Sequence, residues 1–120
     1  MLTDETRLRA ERQVKNFTAA YKNAKAAGYN VVSLGLPSYD SQQDHDLYHP
    51  GQAGQDFREE NEFMVEVLKG LRANQVPAEL VSIKYADYSV WLKGRQNTSD
   101  TRASYTGFLA AELERKRTKG

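Results

Sequence analysis

The chain has 120 residues, 39% of them hydrophobic and 28% charged, with a formal net charge of +1 and no cysteine. That length makes one domain with one core, burying roughly two-thirds of the surface the unfolded chain exposes, and the apolar content excludes wholesale disorder. The missing thiols exclude disulfides, thiolate metal sites and cysteine nucleophiles, and no apolar run approaches the roughly 18 residues of a membrane-spanning helix.

The opening Met1-Leu2-Thr3-Asp4-Glu5 lacks the basic and then apolar profile of a secretion signal, so a soluble cytoplasmic protein with no membrane partner is expected. Charge is segregated. There are six basic and three acidic side chains between Leu2 and Tyr29, one and seven between Pro37 and Glu62, and eight and four from Lys84 onward. Acids gather where helices should begin (Asp4, Glu5, Asp56, Glu59, Glu60) and bases where the last should end, as helix dipoles favour. The basic tail 115–120, with Arg115, Lys116, Arg117 and Lys119, is expected to fray. It has no aromatic side chains to stack on bases, so nucleic acid is not the expected partner.

Ala10, Val14, Phe17, Tyr21 and Ala24 recur at helical steps, predicting an amphipathic helix from about Asp4 to Ala27, capped by Thr3 and ended by Gly28. Asn30 to Leu36 is apolar on both alternating faces, which suits a short strand covered on both sides and closed by Pro37. From 37 to 56 neither period appears, so a polar, acidic loop of about twenty residues is expected, which in a compact domain is functional, mobile or hides a short helix. Helical spacing resumes from Phe57 to Asn74, with Phe63, Met64, Val67, Leu68 and Leu71 on one stripe.

Glu79 to Tyr85 is the second strand. Displaced by 49 residues, Val31-Val32-Ser33-Leu34 overlays Leu80-Val81-Ser82-Ile83, the pattern of an αβ unit used twice. Tyr88 to Leu92 reads as a short helix capped by Asp87 and ended by Gly94, because Ala86-Asp87 would make a poor hairpin turn. Thr98 or Ser99 then caps a last helix to about Lys116, with Tyr105, Phe108, Leu109 and Leu113 facing inward. Trp91 is expected to seal the last two helices with Tyr88, Leu92 and Tyr105.

The order α-β-(long loop)-α-β-α-α implies a single small α/β domain of two or three layers, a minimal parallel sheet joined by a right-handed crossover and packed by helices. Two strands make a marginal sheet. Either helices cover both its faces or a third strand comes from the loop or a second copy of the chain, and the last option points to a homodimer.

Three places offer chemistry. Tyr39 and Tyr48 fall on no predicted helix or strand face, and with Asp40, Asp44 and Asp46 they form an anchor set for another protein, since rigid aromatics are desolvated at little entropic cost. The leading expectation is therefore a non-catalytic interaction or accessory module that works through this loop. The alternative is a small-molecule binder or metal-assisted enzyme at the carboxyl ends of the strands, where open parallel sheets hold ligands. Ser38, Asp87 and Tyr88 would hydrogen-bond a small polar molecule there. His45 and His49, four apart among carboxylates, would share one face of a helical turn and hold zinc or manganese. No other cofactor is expected: Gly35-Leu36-Pro37-Ser38 is not a phosphate-binding turn and Gly-x-Ser-x-Gly is absent.

Overall fold

The computed structural model describes residues 3–119, with side chains through Arg117, so the Lys119 side chain and Gly120 of the basic tail lie outside it. Helix α1 (Asp4–Ala26) begins where Thr3 accepts a hydrogen bond from the Thr6 N–H at 3.1 Å, with Asp4 and Glu5 in the first turn. It ends at Gly28, whose φ of +91° suits a residue without a Cβ. The seam of α1 packs against α3 (Phe57–Ala73), where Ala10 and Val14 meet Phe63, Val67 and Leu71. Gly70 allows this approach, since a Cβ there would stand 2.6 Å from a Val14 methyl.

Strands β1 (Leu34–Tyr39) and β2 (Ala78–Ile83) pair in parallel, Leu34 opposite Ala78 and Tyr39 opposite Ile83. Alternation sends Leu34, Leu36, Ala78 and Leu80 into the core under α3, backed by α1. On the opposite face Tyr39, Val81 and Ile83 pack with α4 (Tyr85–Leu92) and α5 (Ser99–Lys119). The result is a small α/β domain with helices on both faces of a minimal parallel sheet, in the predicted element order.

The ladder explains why the first strand differs from its prediction. It starts at Leu34 rather than Asn30 and runs through Pro37 to Tyr39. Leu34 donates to the Pro77 carbonyl at 2.9 Å, so Leu34, Leu36 and Ser38 turn their peptide groups toward β2, while Gly35, Pro37 and Tyr39 turn theirs outward. Proline's missing N–H thus falls on the side that has no ladder, and the strand passes through it. The outward peptide groups of Tyr39 are taken by Asn61 of α3, which accepts the N–H at 2.9 Å and donates to the carbonyl at 2.7 Å. Val31 to Ser33 precede the strand, so their apparent repeat with Leu80 to Ser82 has no structural counterpart.

Residues 37–56 are not an irregular loop. After β1 they form helix α2 (Gln42–Tyr48) and a 3₁₀ turn, Pro50–Gln52. Ser41 caps α2 by accepting from the Asp44 N–H at 3.1 Å and donating to the Asp44 carboxylate at 3.0 Å. Only His45 and Tyr48 of this seven-residue helix are buried, too few positions to establish a helical period.

Tyr85–Leu92 is helical, although its cap is Lys84 and not Asp87, and it stops at Lys93 and Gly94 with φ of 51° and 83°. Thr98 caps α5 through the Thr101 N–H at 3.2 Å. The rings of Tyr88, Trp91 and Tyr105 pack together at centroid distances of 4.9 to 6.1 Å. Phe108 departs from its predicted inward place: it is 43% exposed, at the margin of this cluster. Beyond Lys116, α5 continues while Arg117 pairs with Glu79 of β2 at 2.5 Å and with Glu114. Among the described residues no helix is long and apolar enough to cross a membrane.

Candidate functional site

Helix α2 folds back over the sheet end, and both tyrosines expected in an exposed loop, Tyr39 at the end of β1 and Tyr48 on α2, are buried beneath it. Tyr48 is 2% exposed and Tyr39 4%. Tyr48 donates its hydroxyl to the Arg102 carbonyl at 3.1 Å, and its ring lies 4.6 Å from that of Tyr88. The two tyrosines are therefore core residues and not exposed on a loop. The cap at Ser41 sets the phase of α2, which turns Tyr48 inward with His45.

The nearby acids are mostly engaged in structure. Asp44 accepts from the Tyr85 N–H at 3.0 Å, tying the exit of β2 to that of β1. Asp46 accepts from His45 Nδ1 at 2.9 Å, Gln42 Nε2 at 2.9 Å and the Gly54 N–H at 3.1 Å. Those bonds, His45 first, hold its carboxyl below the usual carboxylate range. Asp40 is the exposed member of the set, with no hydrogen bond to the described residues.

The second expected group also disperses. Tyr88 is fully buried and donates to Asn97 Oδ1 at 2.7 Å, with Thr101 Oγ1 at 3.2 Å. Asp87 is exposed in the first turn of α4, while Ser38 is half-buried in the ladder. They do not converge on a common space.

The two histidines belong to no cluster of three metal-ligating side chains among the described residues. His45 is wholly buried; its Nδ1–H is committed to Asp46 and its ring stands edge-on to Tyr39 at 4.9 Å. His49 caps the end of α2 and faces a different environment, in which burial and then the Arg102 charge push its imidazole below the ordinary value.

That environment is a cleft of about 360 Å³ at the carboxyl end of β1, between α1, the 3₁₀ turn and the start of α3. Arg9 and Arg12, three apart on α1, supply one wall, and Glu60, Phe63 and Met64 of α3 supply the other. Tyr39, His49 and Gln52 close the inner end. The Arg9 guanidinium lies over the Phe63 ring at 4.6 Å. Among the described residues Arg9, Arg12 and Glu60 have no ion-pair partner.

The Tyr39 hydroxyl has no hydrogen-bond partner among the described residues. Burial, and then the Glu60 carboxylate, raise its phenol above the ordinary value against a smaller opposing effect of Arg102, so it stays protonated and donates at neutral pH. His49 is favoured neutral, and its Nδ1 is buried without a partner. The cleft thus offers two cations, one anion, a phenol and an imidazole over an apolar floor, a set that can bind and orient a small polar molecule.

Sequence reasoning missed Arg9, Arg12 and Glu60. Their only signal was a position beside the apolar stripes of two helices, and that becomes a site only when α1 and α3 are laid side by side. A wider groove of about 700 Å³ between the outer halves of the same helices is lined by Arg7, Glu11, Lys15, Glu66 and Lys69. Its charges are solvated helix side chains, Glu66 and Lys69 paired at 3.4 Å, and no buried polar atom lacking a partner lines it. In the basic tail, Arg115 pairs with Glu112. Comparison with protein-family models, with curated proteins and with solved structures finds no match to this chain.

Proposed function

We propose that this chain is a cytoplasmic binding module that holds a small polar molecule in the cleft at the carboxyl end of β1. The observation that carries this reading is the convergence of unpaired Arg9, Arg12 and Glu60 with the free hydroxyl of Tyr39 in one concave space. Charges of both signs, a phenol donor and an apolar floor facing one concave space are the elements that hold and orient a small polar ligand. The binding reading is favoured over the protein-interaction module expected first, since Tyr39 and Tyr48 are buried and Asp44 and Asp46 bond within the fold.

A thermal-shift screen over carboxylates, phosphates, sugars, nucleotides and amino acids tests the reading. A ligand at about a hundred times its Kd adds about 2.7 kcal/mol to the native state, a rise of several degrees in Tm for a domain of this size. The Arg9→Gln/Arg12→Gln double variant should lose most of that rise, and Tyr39→Phe part of it. A screen without any stabilising compound, or a rise that persists undiminished in the double variant, rules the cleft out.

A further inference from the structure

The two charge signs in the cleft are held apart. Arg9 and Arg12 stand on α1 and Glu60 on α3, facing the same space, yet no ion pair joins them among the described residues. Arg9 and Arg12 are exposed and Glu60 is half-exposed, so water solvates each charge and both signs stay available to a ligand in the cleft. Arg9 lies over the Phe63 face, leaving a gap with a positive side, a negative side and an apolar base of Phe63 and Met64.

We infer that the ligand is a small zwitterion of the α-amino-acid type. Its carboxylate faces Arg9 and Arg12, its ammonium faces Glu60 and accepts no competition from a second acid in the cleft, and its apolar side chain rests on Phe63 and Met64. An anion without an amine would leave Glu60 facing like charge, and an amine without a carboxylate would do the same to the arginines, so each half of the molecule is required by the other wall. A neutral sugar would leave both walls unsatisfied. The volume of about 360 Å³ accommodates a single amino acid with a large apolar side chain. This inference rests on the binding role proposed above and specifies its ligand.

Titration calorimetry on the full chain tests it with leucine, methionine and phenylalanine, each as the free amino acid, the N-acetyl acid and the amide. At least one free amino acid should bind, and both its blocked forms should bind at least about tenfold more weakly, the loss expected for a charge-assisted hydrogen bond. Glu60→Gln should abolish the preference over the N-acetyl acid while keeping that over the amide, and the Arg9→Gln/Arg12→Gln variant should do the reverse. These are surface positions on helices, and circular dichroism verifies that each variant is folded. If an N-acetyl acid binds as tightly as its parent, or simple carboxylates bind and no amino acid does, the zwitterion is wrong while the binding cleft stands. If neither class binds at millimolar concentration and the thermal screen is also blank, both readings fall.

Discussion

Asn61 hydrogen-bonds both outward peptide groups of Tyr39, supplying from a helix what a neighbouring strand would otherwise supply. Its carboxamide is suited to this because it carries one acceptor and one donor on the same planar group. Replacing it by aspartate keeps the shape and the acceptor but turns the donor into a second acceptor that faces the Tyr39 carbonyl. Asn61→Asp is expected to cost about 1–3 kcal/mol at neutral pH, and to recover part of that in acid once the new carboxyl is protonated. Urea unfolding of the two proteins at neutral and mildly acidic pH measures the difference, and equal stability at neutral pH would show that the bridge contributes nothing. Asn61 was invisible in the sequence for a physical reason: an asparagine in a charged stretch of helix signals nothing until a strand end is brought to it.

At the level of elements, α5 comes so close to the sheet at Gly35 that a Cβ there would collide with the Thr106 carbonyl. Because the obstacle is backbone, no side-chain change on α5 relieves it. Gly35→Ala should destabilise by about 1–3 kcal/mol, the range for overpacking a filled core. Gly107, one residue further along the same helix, has open space where its Cβ would go, and Gly107→Ala should stabilise by about 0.5–1 kcal/mol through helix propensity. Thermal or denaturant unfolding of both variants tests the pair, and a Gly35→Ala protein as stable as the parent would show that α5 can draw back from the strand at no cost.

The long helices were legible because their apolar stripes recur over several turns: Val14 and Phe17 in α1, Val67 and Leu71 in α3. Helix α2 was not, since two buried side chains do not make a period, and polar residues are also what a loop would contain. Strand β1 was displaced because Pro37 reads as a stop unless one knows which flank of the strand its nitrogen faces. The Ser38, Asp87 and Tyr88 set expected at the strand ends does not converge, and the charged walls of the cleft required knowing how two helices lie together.

Taken as a whole, the molecule has titrating groups whose shifts set a window of greatest stability. Native Asp46, Glu79 and His49 all lie below their ordinary values, so the unfolded chain binds more protons in acid and stability falls as pH drops. The loss begins near the ordinary imidazole value of 6.5 with His49, and deepens where the two carboxylates titrate. Native Tyr39 and Tyr48 lie above their ordinary value of 10.0, so the unfolded chain releases protons more readily in base and stability falls again above that point. Unfolding free energy should therefore be flat between about pH 7 and 10 and decline on both sides. His49→Gln should remove the first acid step, and an unfolding free energy that rises on going from neutral to mildly acidic pH would contradict this account.

The two flanks of the sheet are not equivalent. Along β1 the outer flank offers the imino nitrogen of Pro37 and peptide groups of Tyr39 already claimed by Asn61. Along β2 the outward groups of Leu80 and Ser82 meet no partner among the described residues. Growth of this sheet is thus unidirectional: a further strand, from another copy or another molecule, has only the β2 side on which to register, and would lie next to Leu80 and Ser82, across the sheet from β1.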